Sequence, residues 1–441
     1  MAPERTAVDV VLLGASELAT PIGSRARGGS GLGAIRVVRD GAVAIAGDRI
    51  VAVGEAREIT ARYSAARELD ADGGTIVPGF VDAHTHPVFA GTREDEFEMR
   101  TRGATYAEIA ASGGGILSTV RGVRAASAEE LLARVLLHLD RFLEHGTTTV
   151  EAKSGYGLDP GSGLKCLEVL AAAGRTHPVE VVPTFLGAHD VPEEHRANPG
   201  AYVEIVLEEM LPRVAEARLA EYCDVFVERG FFELEPSRRI LERAKDLGFG
   251  LRLHADQLSS SGAAELAAEL GAASADHLEH ATPRGIEALG RAGVIPVLCP
   301  VVPLVLRQER EAPARAMVDA GLAPAVSTDF NPGSCYLASL PEALSWAALR
   351  YRMTAGEALT AATLNAACSL GRGSRLGSIE EGKQADLVVL DVPNHKHLVY
   401  ELGRNPVRAV VKAGEIVLER ERVRVGRLES SRGDGPADVV R

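Results

Sequence analysis

The chain has few cysteines, and none is placed for cross-linking. Cys166, Cys223, Cys299, Cys335 and Cys368 are odd in number, scattered, and free of any Cys-x-x-Cys spacing, which argues against a disulfide framework and a zinc-ribbon site. A reducing cytoplasm is the expected compartment. No uncharged run approaches the ~20 residues that span a bilayer. No basic segment leads into an apolar core near the start, where Glu4 and Asp9 stand instead, so neither export nor membrane insertion is expected. A basic stripe is lacking too. With a formal net charge of −13, the chain repels the phosphate backbone of nucleic acid, which is not an expected partner. The composition that remains, 46% hydrophobic and 25% charged over 441 residues, suits one large barrel domain and a smaller companion.

After Pro78, short apolar runs alternate with longer stretches of helical spacing. Strands are expected at Gly79 to His84, Thr147 to Glu151, Val179 to Phe185, Cys223 to Glu228, Gly250 to His254, Ala275 to Leu278, Val294 to Cys299 and Pro324 to Asp329. Helical patterns fall between them, among them Ala128 to His145, Tyr202 to Ala217, Pro236 to Leu247 and Gly262 to Leu270. Eight such repeats read as an α/β fold, a closed (β/α)8 barrel of the TIM type, with its active site at the C-terminal ends of the strands.

The two ends of the chain look different. Val8 to Leu13, Gly41 to Ala46, Arg49 to Gly54, Gln384 to Asp391 and Val407 to Val417 are short β-rich runs between Gly and Asp turns. Neither end carries enough apolar surface for its own core, so both are expected to combine into one small β-sandwich. The resulting division is 1–77 and 373–425 for the sandwich and 78–372 for the barrel, with 426–441 a polar, disordered tail. Ser16 to Gly33, rich in Gly, Arg and Ser, is expected to be an exposed loop.

Chemistry gathers at the ends of the apolar runs. His84 and His86, two apart in an extended segment, can offer two imidazoles on one side. His254, His277 and Asp329 stand at the ends of later runs. His84, His86, His254 and Asp329 fit the N and O ligand set of a catalytic metal site that keeps one position for water. Lys153, at the end of the second strand, invites misreading as a metal-bridging carboxylated lysine. Glu228 is either a supporting carboxylate or a solvated strand end.

These residues carry a resemblance. His84-Thr85-His86 after Val77-Pro78-Gly79-Phe80, a single histidine on the fifth strand, and Ser327-Thr328-Asp329 resemble the amidohydrolase superfamily over essentially the whole chain. More narrowly, the segments beginning at His84, Lys153, Thr184, His254 and Thr328 together resemble the imidazolonepropionase family. That resemblance implies hydrolytic ring opening of 4-imidazolone-5-propanoate to N-formimidoyl-L-glutamate, in histidine degradation, by a metal-bound hydroxide. It implies one Zn or Fe ion per subunit, a single metal because dinuclear barrel hydrolases take their bridging lysine from the fourth strand, where this chain has Val227-Glu228. Imidazole and carboxylate ligands do not separate the two metals.

The same segments suggest roles. Arg93 can bind a propanoate carboxylate through two parallel hydrogen bonds, the alternative being a surface arginine beside Glu94, Asp95 and Glu96. Tyr156, framed by glycines, can place its hydroxyl over a small ring, and Tyr106 is a weaker candidate on a helix-like segment. His189 resembles a substrate-binding histidine of the family, and Asn331, Gly333 and Ser334 join the same group. Related deaminases carry glutamate three residues after the fifth-strand histidine, whereas Gln257 stands here, and an amide does not exchange a proton near neutral pH. Gln257 is therefore assigned to substrate binding. Proton transfer is left to His277 and Asp329, with Asp256 on the opposite side of the strand. Two rival readings are a heterocycle aminohydrolase on the same fold and a catalytically dead scaffold. The expected partner is the small-molecule substrate, and a homodimer is the default assembly.

Overall fold

The computed structural model describes residues 5–104, 108–109 and 112–421. Among them, seven strands precede the barrel: β1 Thr6–Leu13, β2 Glu17–Thr20, β3 Arg36–Arg39, β4 Gly41–Ala46, β5 Arg49–Glu55, β6 Tyr63–Asp70 and β7 Thr75–Pro78. The barrel strands are β8 Phe80–Thr85, β9 Thr147–Lys153, β10 Glu180–Ala188, β11 Tyr222–Val227, β12 Gly250–Ala255, β13 Ser274–His277, β14 Ile295–Leu298 and β15 Ala325–Val326. Three more follow: β16 Leu387–Leu390, β17 Val407–Lys412 and β18 Glu415–Glu419.

β8 to β15 lie side by side in chain order, all pairings parallel. The circle closes outside the regular ladder, where the amide of Asp329 donates to the carbonyl of His84 (3.1 Å) and that of His86 to Phe330 (2.8 Å). The (β/α)8 expectation holds. Helices cover one face of its strands and the barrel interior the other, so every residue of β8 and β9 is buried, the polar ones included. The helices fall where the spacing places them, at Ala128–Glu144, Leu234–Asp246 and Ala263–Leu270. The first opens with a capping box between Ser127 and Glu130 that satisfies two amides at the helix start.

The chain ends combine as expected, in two sheets ordered β5-β4-β1-β6 and β18-β17-β16-β7-β2-β3. β16 pairs with β7, setting Val388 opposite Val77, so residues more than 300 positions apart share one core containing Leu12, Leu18, Ile76, Leu387 and Val411.

One expectation needs correction. Ser16 to Gly33 is not an exposed loop: β2 is fully buried, and Leu32 has no exposed surface. Glu17 is tolerated inside because its carboxylate accepts from the amide and Nδ1 of His395 (2.9 and 2.6 Å). Arg27 then ties the segment to the barrel through Asn365 (2.8 Å). Composition misleads here because the polar groups are paid for by distant partners. The tail from Gly426 lies outside the described residues.

Candidate active site

Four ligand atoms converge where β8, β12 and β15 end. Nε2 of His84 lies 3.3 Å from Nε2 of His86, which lies 3.4 Å from Nε2 of His254. Asp329 Oδ1 is 3.4 Å from Nε2 of both His84 and His86. A tetrahedral ion with bonds of about 2.0–2.1 Å spaces its ligands by roughly 3.3–3.4 Å, and these four pairs have that spacing. The ring contacts are not hydrogen bonds. Nδ1 of His84 faces Asp276 Oδ2 at 2.6 Å and Nδ1 of His254 faces Asp224 Oδ1 at 3.0 Å. Those nitrogens carry the protons, and the two Nε2 atoms are left as lone pairs. Lone pairs crowded against a carboxylate oxygen call for a cation, so these residues fit a metal ion.

Protonation agrees. Burial, aided by Lys153 and His254, lowers His84 to about 4, and burial also lowers His86; the neutral ring is the ligating form. Burial alone would raise Asp329, yet the neighbouring His84 and His86 rings hold its carboxyl well below the usual range.

His277 sits beside this group, its ring centroid 5.0 Å from that of His84 and 5.1 Å from that of His254, and the three form a looser trio of donors. Neither of its ring nitrogens has a hydrogen-bond partner among the described residues. His277, Leu278 and Asp329 adopt left-handed backbone, φ 75°, 70° and 52°, a local strain that the surrounding structure must hold.

A cavity of about 620 Å³ opens above the cluster. Arg93, Tyr156, His189, Gln257, Asn331, Gly333 and Ser334 line it together with His86, His254, His277 and Asp329; Tyr106 lies outside the described residues. Arg93 is not a surface side chain, being 11% exposed, and Glu96 grips its Nε and Nη2 at 2.9 and 2.8 Å. His189 stacks on His86 at 5.1 Å and turns Nδ1 to the Gly155 carbonyl (2.8 Å). Burial raises the Tyr156 phenol well above its ordinary value, so it stays a neutral donor. Asn331 has its amide engaged within its own turn, Oδ1 accepting from the amides of Gly333 and Ser334 (2.8 and 2.7 Å). The Ser334 hydroxyl donates to Asp329 Oδ2 (3.2 Å).

Other residues prove structural. Lys153 is not a metal ligand here: its ammonium donates to Glu151 (2.8 Å) and Asp224 (2.7 Å). Glu228 is buried and accepts from the amides of Leu258 and Ser259 (2.8 and 3.1 Å), fixing the loop after β12. Asp256 points away from the cluster and accepts from the amides of Ser261 to Ala264 at the start of the helix Ala263–Leu270.

The sequence reading overlooked the orienting carboxylates Asp224 and Asp276, the buried Arg252, Glu279, and Asp82, which accepts from the Thr328 amide and hydroxyl (3.1 and 2.6 Å) and joins β8 to the β15 end. A signal existed. Asp82 and His84, Glu151 and Lys153, and Arg252 and His254 are each two apart, the parity of one strand face, and charge recurring there in apolar runs marks a polar barrel interior.

Residues 75–417 match the amidohydrolase family, and residues 41–63 match an imidazolonepropionase-like composite domain of bacteria. The imidazolonepropionase of Symbiobacterium thermophilum is 48% identical over 421 residues, covering 95% of this chain and 99% of that protein. The chain belongs to the imidazolonepropionase family of amidohydrolases. A second member, the imidazolonepropionase of Solibacter usitatus, is 49% identical over 414 residues, 93% of this chain and 99% of its own. Solved structures of lower identity share the fold. A zinc-bound adenosine deaminase from Xanthomonas campestris superposes with a TM-score of 0.70 at 22% identity (95% and 94% of the chains), and E. coli guanine deaminase with 0.72 at 16% (93% and 100%). As an amidohydrolase with this His and Asp cluster, the protein is a metal-dependent hydrolase.

Proposed function

We propose that this protein opens the ring of 4-imidazolone-5-propanoate to give N-formimidoyl-L-glutamate, as an imidazolonepropionase of histidine degradation. The observation that carries the reading is one cavity holding the metal-type cluster at its floor and the Arg93 guanidinium in its wall, within a chain nearly half identical to its named relatives over almost their whole length. His84, His86, His254 and Asp329 would hold one Zn or Fe ion, which when bound would supply Lewis acidity and lower the pKa of water.

The chain's own groups do the rest. Arg93, pinned by Glu96, takes the propanoate carboxylate, and Arg100, half-buried beside it with both Nη atoms on the Gly333 carbonyl (3.2 and 3.1 Å), adds positive potential. Tyr156 and His189 flank the ring, while Gln257 hydrogen-bonds it without proton exchange. His277 donates to the carbonyl oxygen as charge builds there. Asp329 accepts the proton of the attacking water and passes it toward the leaving ring nitrogen, with Ser334 holding its second oxygen. Water thereby adds at the carbonyl carbon, the carbon–nitrogen bond breaks, and the nitrogen leaves protonated.

The five cysteines carry no disulfide in the structure, which suits a cytoplasmic location, and no described helix is long and apolar enough to cross a membrane. A homodimer is the assembly to test by light scattering. The deciding experiment supplies freshly generated 4-imidazolone-5-propanoate to metal-loaded enzyme and follows loss of ring absorbance with formation of N-formimidoyl-L-glutamate. Inertness toward this compound, with ammonia released from an aminated heterocycle, would replace the reading by deamination.

A further inference from the structure

Beneath the histidines, five charged side chains fill the barrel interior with no exposed surface: Glu151, Lys153, Asp224, Arg252 and Asp276. Lys153 is central. Its Nζ lies 2.8 Å from Glu151 Oε1, 2.7 Å from Asp224 Oδ2 and 3.7 Å from Asp276 Oδ2. Asp224 uses its other oxygen to accept from the amide and Nδ1 of His254, at 3.1 and 3.0 Å. Asp276 Oδ2 faces Nδ1 of His84 and also draws Nη2 of Arg252 at 3.4 Å. The ammonium thus stands behind both carboxylates that orient metal-type histidines, and Asp224 has Lys153 as its close cationic partner.

Lys153 holds Asp224 by its second oxygen, at 2.7 Å, and with that donor removed the carboxylate is free to turn about its side-chain torsions. Asp224 would then no longer present a firm acceptor to Nδ1, and the His254 ring would lose the constraint that turns Nε2 to the cluster. We propose that Lys153 is a positioning residue of the metal centre, acting through Asp224 to hold His254 in its ligating tautomer and orientation. The same ammonium stands 2.7 and 3.7 Å from Asp224 and Asp276, two donors of the His84, Asp224 and Asp276 group, and the inference rests on the one-metal reading.

The test starts from zinc-loaded holoenzyme challenged with a graded chromogenic chelator, in wild type, Lys153→Met, Asp224→Asn and the double variant. Asparagine still accepts from His254, and in the double variant one positive and one negative charge leave together, so its core stays balanced. Lys153→Met is expected to weaken zinc retention ten- to a hundredfold. In the Asp224→Asn background the same change is expected to weaken it by less than about threefold, since its route is already cut. Wild-type zinc retention by Lys153→Met, or a further tenfold loss in the double variant, would overturn the proposal. If Lys153→Met does not fold, the comparison of the two Asp224→Asn proteins decides alone. A wild-type protein that never loads zinc or iron would instead overturn the metal-site reading.

Discussion

Gly333→Ala separates the substrate-binding role of Arg93 from the stability of the fold. Gly333 does not use left-handed backbone, so alanine costs nothing in φ and ψ, and by restricting the unfolded chain it is worth about 0.4–1 kcal/mol where it fits. Its methyl carbon would, however, lie 2.1 Å from Nη1 of Arg93, 2.4 Å from Cζ and 2.8 Å from Nη2. The guanidinium must retreat by more than about 1 Å, a displacement that in a positioned site costs up to about a hundredfold. It has little freedom to do so. Glu96 holds it from the other side, and Glu96 is itself fixed by the amide of Gly115 (3.0 Å) and the hydroxyl of Ser118 (3.3 Å). Losing one two-point, charge-assisted contact corresponds to a ten- to hundredfold fall in kcat/KM, about 1.4–2.8 kcal/mol. Because the carboxylate is bound equally in ground and transition states, the fall should come chiefly through KM. Steady-state kinetics of ring opening and a thermal melt check this together. The melting temperature should fall only modestly, the cost of moving one pinned side chain being set against the gain in chain entropy, and Gly333→Ala should add nothing to the kcat/KM loss in an Arg93→Ala background. A kcat/KM within twofold of wild type would refute the reasoning and remove Arg93 from the carboxylate site.

Two further outcomes follow from the structure. Burial, with Asp329 and Glu228 nearby, pushes the Glu279 carboxyl up to about 8; a raised carboxyl favours folding below the ordinary carboxylate range and loses that contribution as pH climbs to about 8. In urea unfolding after metal chelation, the stability of Glu279→Gln relative to wild type should therefore grow from about pH 5 to 8 and level off above, whereas a pH-independent gap would contradict it. Asp256→Ala strips a carboxylate from the start of the helix Ala263–Leu270, where four amides donate to it, and should cost about 1–2 kcal/mol in the same assay with metal content unchanged.

How much of this was legible from the chain depends on the range over which each feature is encoded. The barrel strands are local patterns, and the structure places β8 to β15 within a few residues of the apolar runs. The metal-type histidines were legible because each ends such a run, and because two residues apart on a strand means one face. β2 was missed because its burial rests on Glu17 meeting His395, 378 positions away, which no local composition reveals. The orienting layer was hidden for the same reason. His84 and Asp276 are separated by 192 residues, and their contact exists only once parallel strands are set side by side in register. By itself the sequence determined the alternation of strands and helices, the candidate ligands and the family. Only the tertiary structure decided which carboxylates face which ring nitrogens, and that Lys153 is a buried counter-ion rather than a ligand. Hydrophobic periodicity acts between neighbours in the chain, whereas charge compensation in a dry barrel interior acts between neighbours in space.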